Sequence, residues 1–303
     1  MDKKIGLIGL GKMGSGLAAR LLEKNWTLVV YDKNEKLLNG PKFKTAVKAR
    51  DLKDLAAQLP SPKIIWLMLP AGKTVTKTIF GKNSLVKFLG KGDIIIDGGN
   101  SFYKDSIKRS EKLSRLGVNF MDVGVSGGPA GARNGACLMI GGNKKAFETI
   151  KPLLTDLSKN GNFHFIPESG AGHFIKMVHN GIEYGMMQAI AEGFNLLKKS
   201  PFNLDLEKIA ELYNNGSVVE SKLIGWLKKA FQENGNDLKT IDGKVGHTGE
   251  GEWTVKTARK MGIPVKIIEA SLKFRLASSK KPDYTGKILS ALREQFGGHK
   301  AKL

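Results

Sequence analysis

Between residues 170 and 184 the chain reads GAGHFIKMVHNGIEY. If this stretch is helical, Lys176, His179, Asn180 and Glu183 fall at i, i+3, i+4 and i+7, along one face. An amine, an imidazole, an amide and a carboxylate in one stripe pack poorly as a core. A solvated face with an ion pair would give the same pattern, although the glycines beside it allow other segments to approach closely. Such a stripe offers chemistry a proton acceptor and a proton donor at fixed spacing. A lysine acts as a base near neutral pH only where burial or cationic neighbours lower its pKa, and an acid working beside it needs a separated pKa.

Two further stretches combine polar side chains with glycine. Asp97-Gly98-Gly99-Asn100-Ser101 follows the apolar run 94–96, which places it at the carboxyl end of a strand, where open α/β sheets bind ligands. Val125-Ser126-Gly127-Gly128-Pro129 follows another run and offers a hydroxyl and bare backbone N–H groups suited to a carboxylate or phosphate. A structural turn explains either stretch alone. It does not explain their convergence with the 170–184 segment.

A third glycine-rich stretch, Gly9-Leu10-Gly11-Lys12-Met13-Gly14, follows one strand-like run and opens a helical pattern. In that setting the three glycines serve a tight turn, close approach to a pyrophosphate, and close helix–strand packing. The helix amino end adds N–H groups and partial positive charge for the phosphates. Asp32 ends the second strand, 18 residues after Gly14. A carboxylate there can accept both ribose hydroxyls of NAD and would repel the extra phosphate of NADP. Lys33 and Lys36 follow at once and could soften that repulsion. NAD is therefore the favoured cofactor, and use of NADP stays open.

These motifs require elements that hold them. Continuous apolar runs at 5–10, 28–31, 64–69 and 94–96, each bounded by Gly, Pro or Asp, have the pattern of parallel strands covered on both faces by helices. Residues 12–24 place Met13, Leu17, Leu21 and Leu22 on one helical face. Runs at 119–123 and 137–140 extend the sheet. After about Gly170 the texture becomes helical: 172–199, 206–213 with Asp205 as cap, 218–231, 253–261, 264–277 with Pro264 in the first turn, and 286–296. The expected architecture is α/β, a doubly wound Rossmann-type domain over 1–169 followed by an all-helical domain over 170–303. No repeat or low-complexity segment interrupts it.

The bulk composition narrows the function classes. With 303 residues, 41% hydrophobic and 25% charged, the chain is an ordinary globular one of two-domain size. No apolar run approaches the ~20 residues that cross a bilayer, and MDKKIGLIGL reads as a first strand, not an export signal. One cysteine, Cys137, rules out an intrachain disulfide and suits a reducing cytoplasm. The five histidines are scattered, so no protein-held metal is expected. The net charge of +21 comes from dispersed lysines. The densest piece, 42–53, has no repeated aromatic to stack bases, which favours a solvated surface that attracts an anionic substrate over nucleic-acid binding.

With these motifs in place the chain resembles the 6-phosphogluconate dehydrogenases, in a short form. DGGNS, GVSGG, GAGHFIKMVHNGIEYG, the GxGxW segment ending at Trp253, Arg275 in a late helix and the tail REQFGGH ending at His299 occur in family order from residue 5 to 299. The KMVHNGIEYG block is specific to that family, whereas the glycine fingerprint is shared by all β-hydroxyacid dehydrogenases. The resemblance implies oxidative decarboxylation of a sugar acid phosphate, 6-phosphogluconate, to ribulose 5-phosphate in the pentose phosphate pathway. It implies Lys176 as general base on the carbon 3 hydroxyl and Glu183 as proton donor to carbon 1. It implies Ser126, Gly127, Gly128 and Asn180 on the carboxylate and hydroxyls, His179 at the reacting hydroxyl, and Tyr184 with Arg275 on the phosphate. Asn100 would orient the nicotinamide, while Gly9, Gly11, Lys12, Met13, Gly14, Asp32 and Lys33 hold the rest of the cofactor.

In the longer relatives the equivalents of Arg293 and His299 come from the partner subunit's tail. The resemblance thus implies a homo-oligomer with a shared site, residues 286–303 supplying it here. Two departures qualify the match. Thr248, preceded by His247, stands where long forms carry a phosphate-binding lysine; Lys244 and His247 are candidate substitutes. The chain is also shorter than those forms, with the missing mass expected in the helical domain. The nearest rival is another β-hydroxyacid dehydrogenase acting on a small hydroxy acid, which would not be expected to carry HNGIEY together with DGGNS and the tail. The charge alone would suggest a non-catalytic NAD-sensing or nucleic-acid-binding protein, in which Lys176 and Glu183 are dispensable.

Overall fold

The computed structural model describes residues 2–40, 43–247 and 249–298. It divides into two compact units, and the boundary between Met177 and Val178 falls inside a long helix.

The first unit is built on an eight-stranded sheet in the order β3-β2-β1-β4-β5-β6-β7-β8. Its strands are β1 (Lys4–Ile8), β2 (Thr27–Tyr31), β3 (Val47–Lys48), β4 (Ile64–Leu67), β5 (Ile94–Asp97), β6 (Asn119–Ser126), β7 (Ala136–Gly142) and β8 (Ser158–Ile166). From β3 to β6 all pairs are parallel. Successive side chains explain the helices on both faces. Leu28 and Val30, Ile64 and Trp66, and Ile94 and Ile96 enter one core cluster, while Val29, Ile65, Leu67 and Ile95 enter a second. A strand that buries both of its faces must be covered twice, and each fully buried Ile, Leu or Val is worth about 1.5–3 kcal/mol.

Helices α1 (Lys12–Glu23), α2 (Glu35–Leu38), α3 (Leu52–Ala57), α4 (Lys73–Phe80), α5 (Tyr103–Ser114), α6 (Gly128–Asn134) and α7 (Lys144–Leu157) supply the connections. The sheet departs from the expected parallel order once, because β7 runs antiparallel to β6. The link between them holds α6, seven residues long, with Gly127 and Gly135 at positive φ on either side. A parallel crossover needs a dozen or more residues, so this link turns the chain straight back. With the longer α7 as connection, β8 returns parallel to β7.

The second unit is helical: the greater part of α8 (Ala171–Lys198), then α9 (Leu206–Tyr213), α10 (Lys222–Asn234), α11 (Glu250–Lys260), α12 (Lys266–Ser278) and α13 (Tyr284–Gly297). Its core gathers Met187, Phe194, Leu227, Phe231, Ile241, Ile288, Leu289 and Leu292. Asp205 caps α9 as expected, accepting from the N–H groups of Glu207 and Lys208. Two expected helix starts move later in the chain. α10 begins four residues later than 218, where the Ser221 hydroxyl accepts from the Ile224 N–H; Val218 is fully exposed in the preceding loop. α12 begins at Lys266, so Pro264 lies ahead of its first turn. Among the described residues no helix is long and apolar enough to cross a membrane.

Candidate active site

The glycine loop of the first unit has the geometry its residue types predict. Gly9 takes φ +95, and a Cβ there would stand 2.3 Å from the Met68 carbonyl oxygen. One at Gly14 would stand 2.0 Å from the Gly9 carbonyl oxygen. Both are therefore barred to any side chain. At Gly11, by contrast, a Cβ would meet nothing within 4 Å, so its bareness leaves an open approach to the amino end of α1. Gly11 is also the cap residue of α1, and no side chain caps that helix. A helix amino end left open at a glycine fits a pyrophosphate. Lys12 is exposed and Met13 half-buried on the first turn.

Asp32 is half-buried at the end of β2 and already has structural partners. One oxygen accepts the Leu10 N–H at 2.7 Å and the other the Asn34 N–H at 2.8 Å. The carboxylate is thus braced against the glycine loop, with lone pairs left for hydroxyl donors. Lys33 beside it is exposed.

Asn100, also exposed, belongs to the loop after β5. Asp97, fully buried, ties that loop down by accepting from the Ser101 hydroxyl at 2.8 Å and the Gly99 N–H at 3.1 Å. Ser126 ends β6, and Gly127 and Gly128 follow at positive φ; all three are half-buried.

Lys176 lies in this unit, on the first turns of α8. The carboxylate of Asp122 on β6, itself buried, accepts the N–H groups of Gly170 and His173 at 2.7 and 2.9 Å. A Cβ at Gly172 would stand 2.4 Å from the Asp122 carbonyl, and one at Gly124 would stand 2.4 Å from the Cβ of Lys176. The bare strand face at Gly124 is what lets the lysine-bearing turn lie against β6. His173 is buried, and its Nδ1 lies 2.7 Å from the Ser106 hydroxyl. Sequence reasoning gave no role to Asp122 or Gly124. An isolated glycine in a strand pattern, such as Gly124, is the signal that could have found one of them.

Lys176, Asn180 and Glu183 follow one face of the continuous helix α8, as the spacing predicts. Beyond the unit boundary, His179 Nδ1 lies 3.0 Å from Asn180 Oδ1 and 3.9 Å from a Glu183 oxygen. One turn on, Tyr184 is buried, with the guanidinium of Arg275 centred 3.5 Å from its ring. Arg275 is 2% exposed, and its Nε has no hydrogen-bond partner among the described residues. Burial pulls its pKa down from the ordinary value to about 10, with Tyr184, Glu183 and Glu250 opposing and Arg293 reinforcing. Burial likewise lowers Arg293, against the same three residues. Arg275 stays cationic at neutral pH. A buried arginine with an orphan N–H, beside a second, half-buried arginine, fits an anion such as a phosphate.

Arg293 lies on the last helix of the second unit. The expected tail from 286 is helix α13, whose Ile288, Leu289, Ala291 and Leu292 sit in the core of its own unit. Arg293 therefore faces the Tyr184 and Arg275 cluster of its own chain, and a Cβ at Gly246 would stand 3.0 Å from its Nη1. His299 and Thr248 lie outside the described residues. Glu250, 4% exposed, and Gly251, where a Cβ would stand 2.5 Å from the Tyr184 ring, also belong to this cluster; both lie in the GxGxW segment, but the sequence reading assigned them no role.

Residues 4–166 match the family model described as the NAD binding domain of 6-phosphogluconate dehydrogenase, and residues 172–301 match that of the 6-phosphogluconate dehydrogenase C-terminal domain. The chain is 42% identical to the Bacillus subtilis protein YqeC over 296 residues, which cover 98% of each. It is 37% identical to the NAD(+)-dependent decarboxylating 6-phosphogluconate dehydrogenase of Haloferax volcanii, over 98% of this chain and 97% of that one. Among solved structures, the Plasmodium falciparum 6-phosphogluconate dehydrogenase superposes with a TM-score of 0.80 at 32% identity. That match covers 92% of this chain and 62% of the longer one.

Proposed function

This chain belongs to the family of decarboxylating 6-phosphogluconate dehydrogenases, and we propose that it converts 6-phosphogluconate to ribulose 5-phosphate and carbon dioxide with NAD as preferred acceptor. The observation that carries this reading is the pairing of Lys176 with Glu183, two turns apart on one face of α8. NAD, when bound, accepts the hydride that leaves carbon 3. Lys176 takes the proton of the carbon 3 hydroxyl, assisted by His179. The protonated amine then donates a hydrogen bond to the new carbonyl oxygen while carbon dioxide leaves and its electron pair moves into the enediol. Glu183 delivers a proton to carbon 1. Ser126, Gly127, Gly128 and Asn180 hold the carboxylate and hydroxyls, and Tyr184, Arg275 and Arg293 take the phosphate. Asn100 orients the nicotinamide, and Gly9, Gly11, Lys12, Met13 and Gly14 receive the pyrophosphate.

The protein works as a homo-oligomer in this proposal. Arg293 lies beside Tyr184 and Arg275 of its own chain, and His299 is the residue proposed to complete a site shared with a second copy. Purified protein given 6-phosphogluconate and NAD should release reduced cofactor and carbon dioxide in equal amounts. Reduction of NAD by a small hydroxy acid such as 3-hydroxyisobutyrate, with none by 6-phosphogluconate, would overturn the substrate assignment.

The preference for NAD is supported by the braced carboxylate of Asp32 and by the named cofactor of the Haloferax relative. Replacing Asp32 by Ala removes a ribose acceptor and a brace of the glycine loop together. We expect the KM for NAD to rise about ten-fold, roughly one lost charged hydrogen bond, while Lys33 and Lys36 bring NADP closer to parity. Steady-state rates with both cofactors test this; an unchanged ratio of the two specificity constants would refute the role of Asp32.

A further inference from the structure

Arg109, on the inner face of α5, is 3% exposed. Its Nη1 donates to the Asp97 carboxylate at 3.2 Å and lies 3.5 Å from the Ser101 hydroxyl. Its Nη2 donates to the Gly72 carbonyl at 3.0 Å and to the Thr76 hydroxyl at 3.1 Å, and Nε points to the same hydroxyl at 3.3 Å. One guanidinium thus spans two loops, the one leaving β4 (residues 68–72) and the one leaving β5 (residues 97–101). Asp105, one turn earlier on α5, adds a longer ion pair at 3.8 Å.

The two loops are nested tightly enough that their relative position has little freedom. A Cβ at Gly99 would stand 2.7 Å from the Leu69 carbonyl, and one at Gly98 would stand 2.2 Å from the Trp66 indole nitrogen. The β4 loop in turn backs onto the glycine loop, through the Met68 carbonyl against Gly9. Asn100 sits between Gly99 and Ser101, both of which hang on Asp97. All of these lie at the carboxyl ends of adjacent parallel strands, where such sheets bind ligands. Stability alone is a weak reason for the arrangement, since a buried ion pair seldom outperforms a hydrophobic replacement of equal volume. A planar fork that holds a carboxylate, a carbonyl and a hydroxyl at once does something a hydrophobic side chain cannot, which is to fix two loops in register.

We propose that Arg109 is a positioning residue for hydride transfer, locking the β4 and β5 loops so that Asn100 and the nicotinamide keep one depth and orientation against the substrate. It touches neither and acts through Asp97 and Gly72. Small errors of placement at a reacting centre cost about a hundred-fold per ångström, so loosening this lock should act on the hydride step above all.

The proposal rests on the reading in which NAD accepts hydride from carbon 3 of 6-phosphogluconate. Its test is Arg109→Lys in the full-length protein, which keeps the charge and the Asp97 partner but loses the fork. NAD affinity, measured by direct calorimetric titration without substrate, should weaken about ten-fold. The kcat per folded subunit should fall about 10- to 100-fold at an almost unchanged KM for 6-phosphogluconate. The deuterium isotope effect on kcat, with substrate labelled at carbon 3, should increase as hydride transfer becomes the slow step. A side chain that merely held the fold together would lower the melting temperature and the yield of active protein while leaving NAD affinity and the isotope effect where they were; that result would overturn the proposal. If Arg109→Lys does not fold, Thr76→Val removes one acceptor and keeps the ion pair, and it should weaken NAD affinity by about three-fold, one lost neutral hydrogen bond at the weak end of its range, and shift the isotope effect upward. Unchanged values there would equally overturn it. Failure of the underlying functional reading looks different: the unmodified protein would bind NAD yet leave 6-phosphogluconate untouched, and the calorimetric comparison would still decide the role of Arg109.

Discussion

Lys176→Met should lower kcat by about a thousand-fold or more while the protein still folds and binds NAD. A positioned general base is worth about 10²–10⁴ in rate, and here the same amine works twice, first as base and then as hydrogen-bond donor to the 3-keto oxygen. Methionine is unbranched and keeps the Cβ and Cγ that face Gly124, so the close passage of α8 there is undisturbed. Arginine at the same position should not rescue turnover, because a guanidinium stays protonated at any pH the fold survives. Pre-steady-state mixing with 6-phosphogluconate and NAD, read at the absorbance of reduced cofactor, would show the loss in the first turnover. Activity within ten-fold of the unmodified protein would remove Lys176 from the chemistry and with it the proposed mechanism.

Arg275→Met should have the opposite signature, a large loss of substrate affinity without loss of stability. Arg275 is buried and stacked on Tyr184, and one of its N–H donors has no partner among the described residues. Burial lowers its pKa to about 10, so below that pH the folded protein carries the full penalty of holding the charge, and the penalty is relieved as pH rises through 10. A desolvated cation–π stack offsets about 2 kcal/mol of that penalty, and a methionine sulfur against the same ring would return about 0.3–1.5 kcal/mol. Hydrophobic replacement of a buried charge is commonly neutral or stabilising by about 1–4 kcal/mol. The melting temperature without ligand should therefore hold or rise by a few degrees.

The KM for 6-phosphogluconate should rise about 10²–10³-fold with kcat far less affected, since a charged contact made equally in ground and transition states supports binding. In the unmodified protein, substrate at a hundred times its Kd should add about 2.7 kcal/mol of stability, and the variant should lose most of that gain at the same concentration. Thermal melts with and without 6-phosphogluconate measure both effects. A variant that melts many degrees lower and keeps its KM would make Arg275 a structural residue and leave the phosphate without its principal ligand.

Local periodicity makes much of this protein legible from its residues. Runs buried on both faces, the glycine fingerprint, the cap at Asp205 and the stripe Lys176, Asn180, Glu183 each depend on neighbours within about two turns or one strand, and those relations survive in the sequence. The α/β-then-helical order and the acid and base candidates come from them. The contacts that position the candidates do not, because they join residues far apart along the chain. Gly124 meets Lys176 only because β6 lies beside the entry to α8, and Arg109 reaches Gly72 only because β4 and β5 are neighbours in the sheet. The reversal between β6 and β7 follows from a nine-residue link whose length is plain but whose path three positive-φ glycines decide. Arg293 shows the limit most clearly. Its residue type is plain in the sequence, but its place beside Tyr184 and Arg275 was decided by the apolar face of α13, which buries itself in its own unit and carries the arginine there. Side-chain type and spacing thus determined which chemistry is available, and packing between distant segments determined where each group is held.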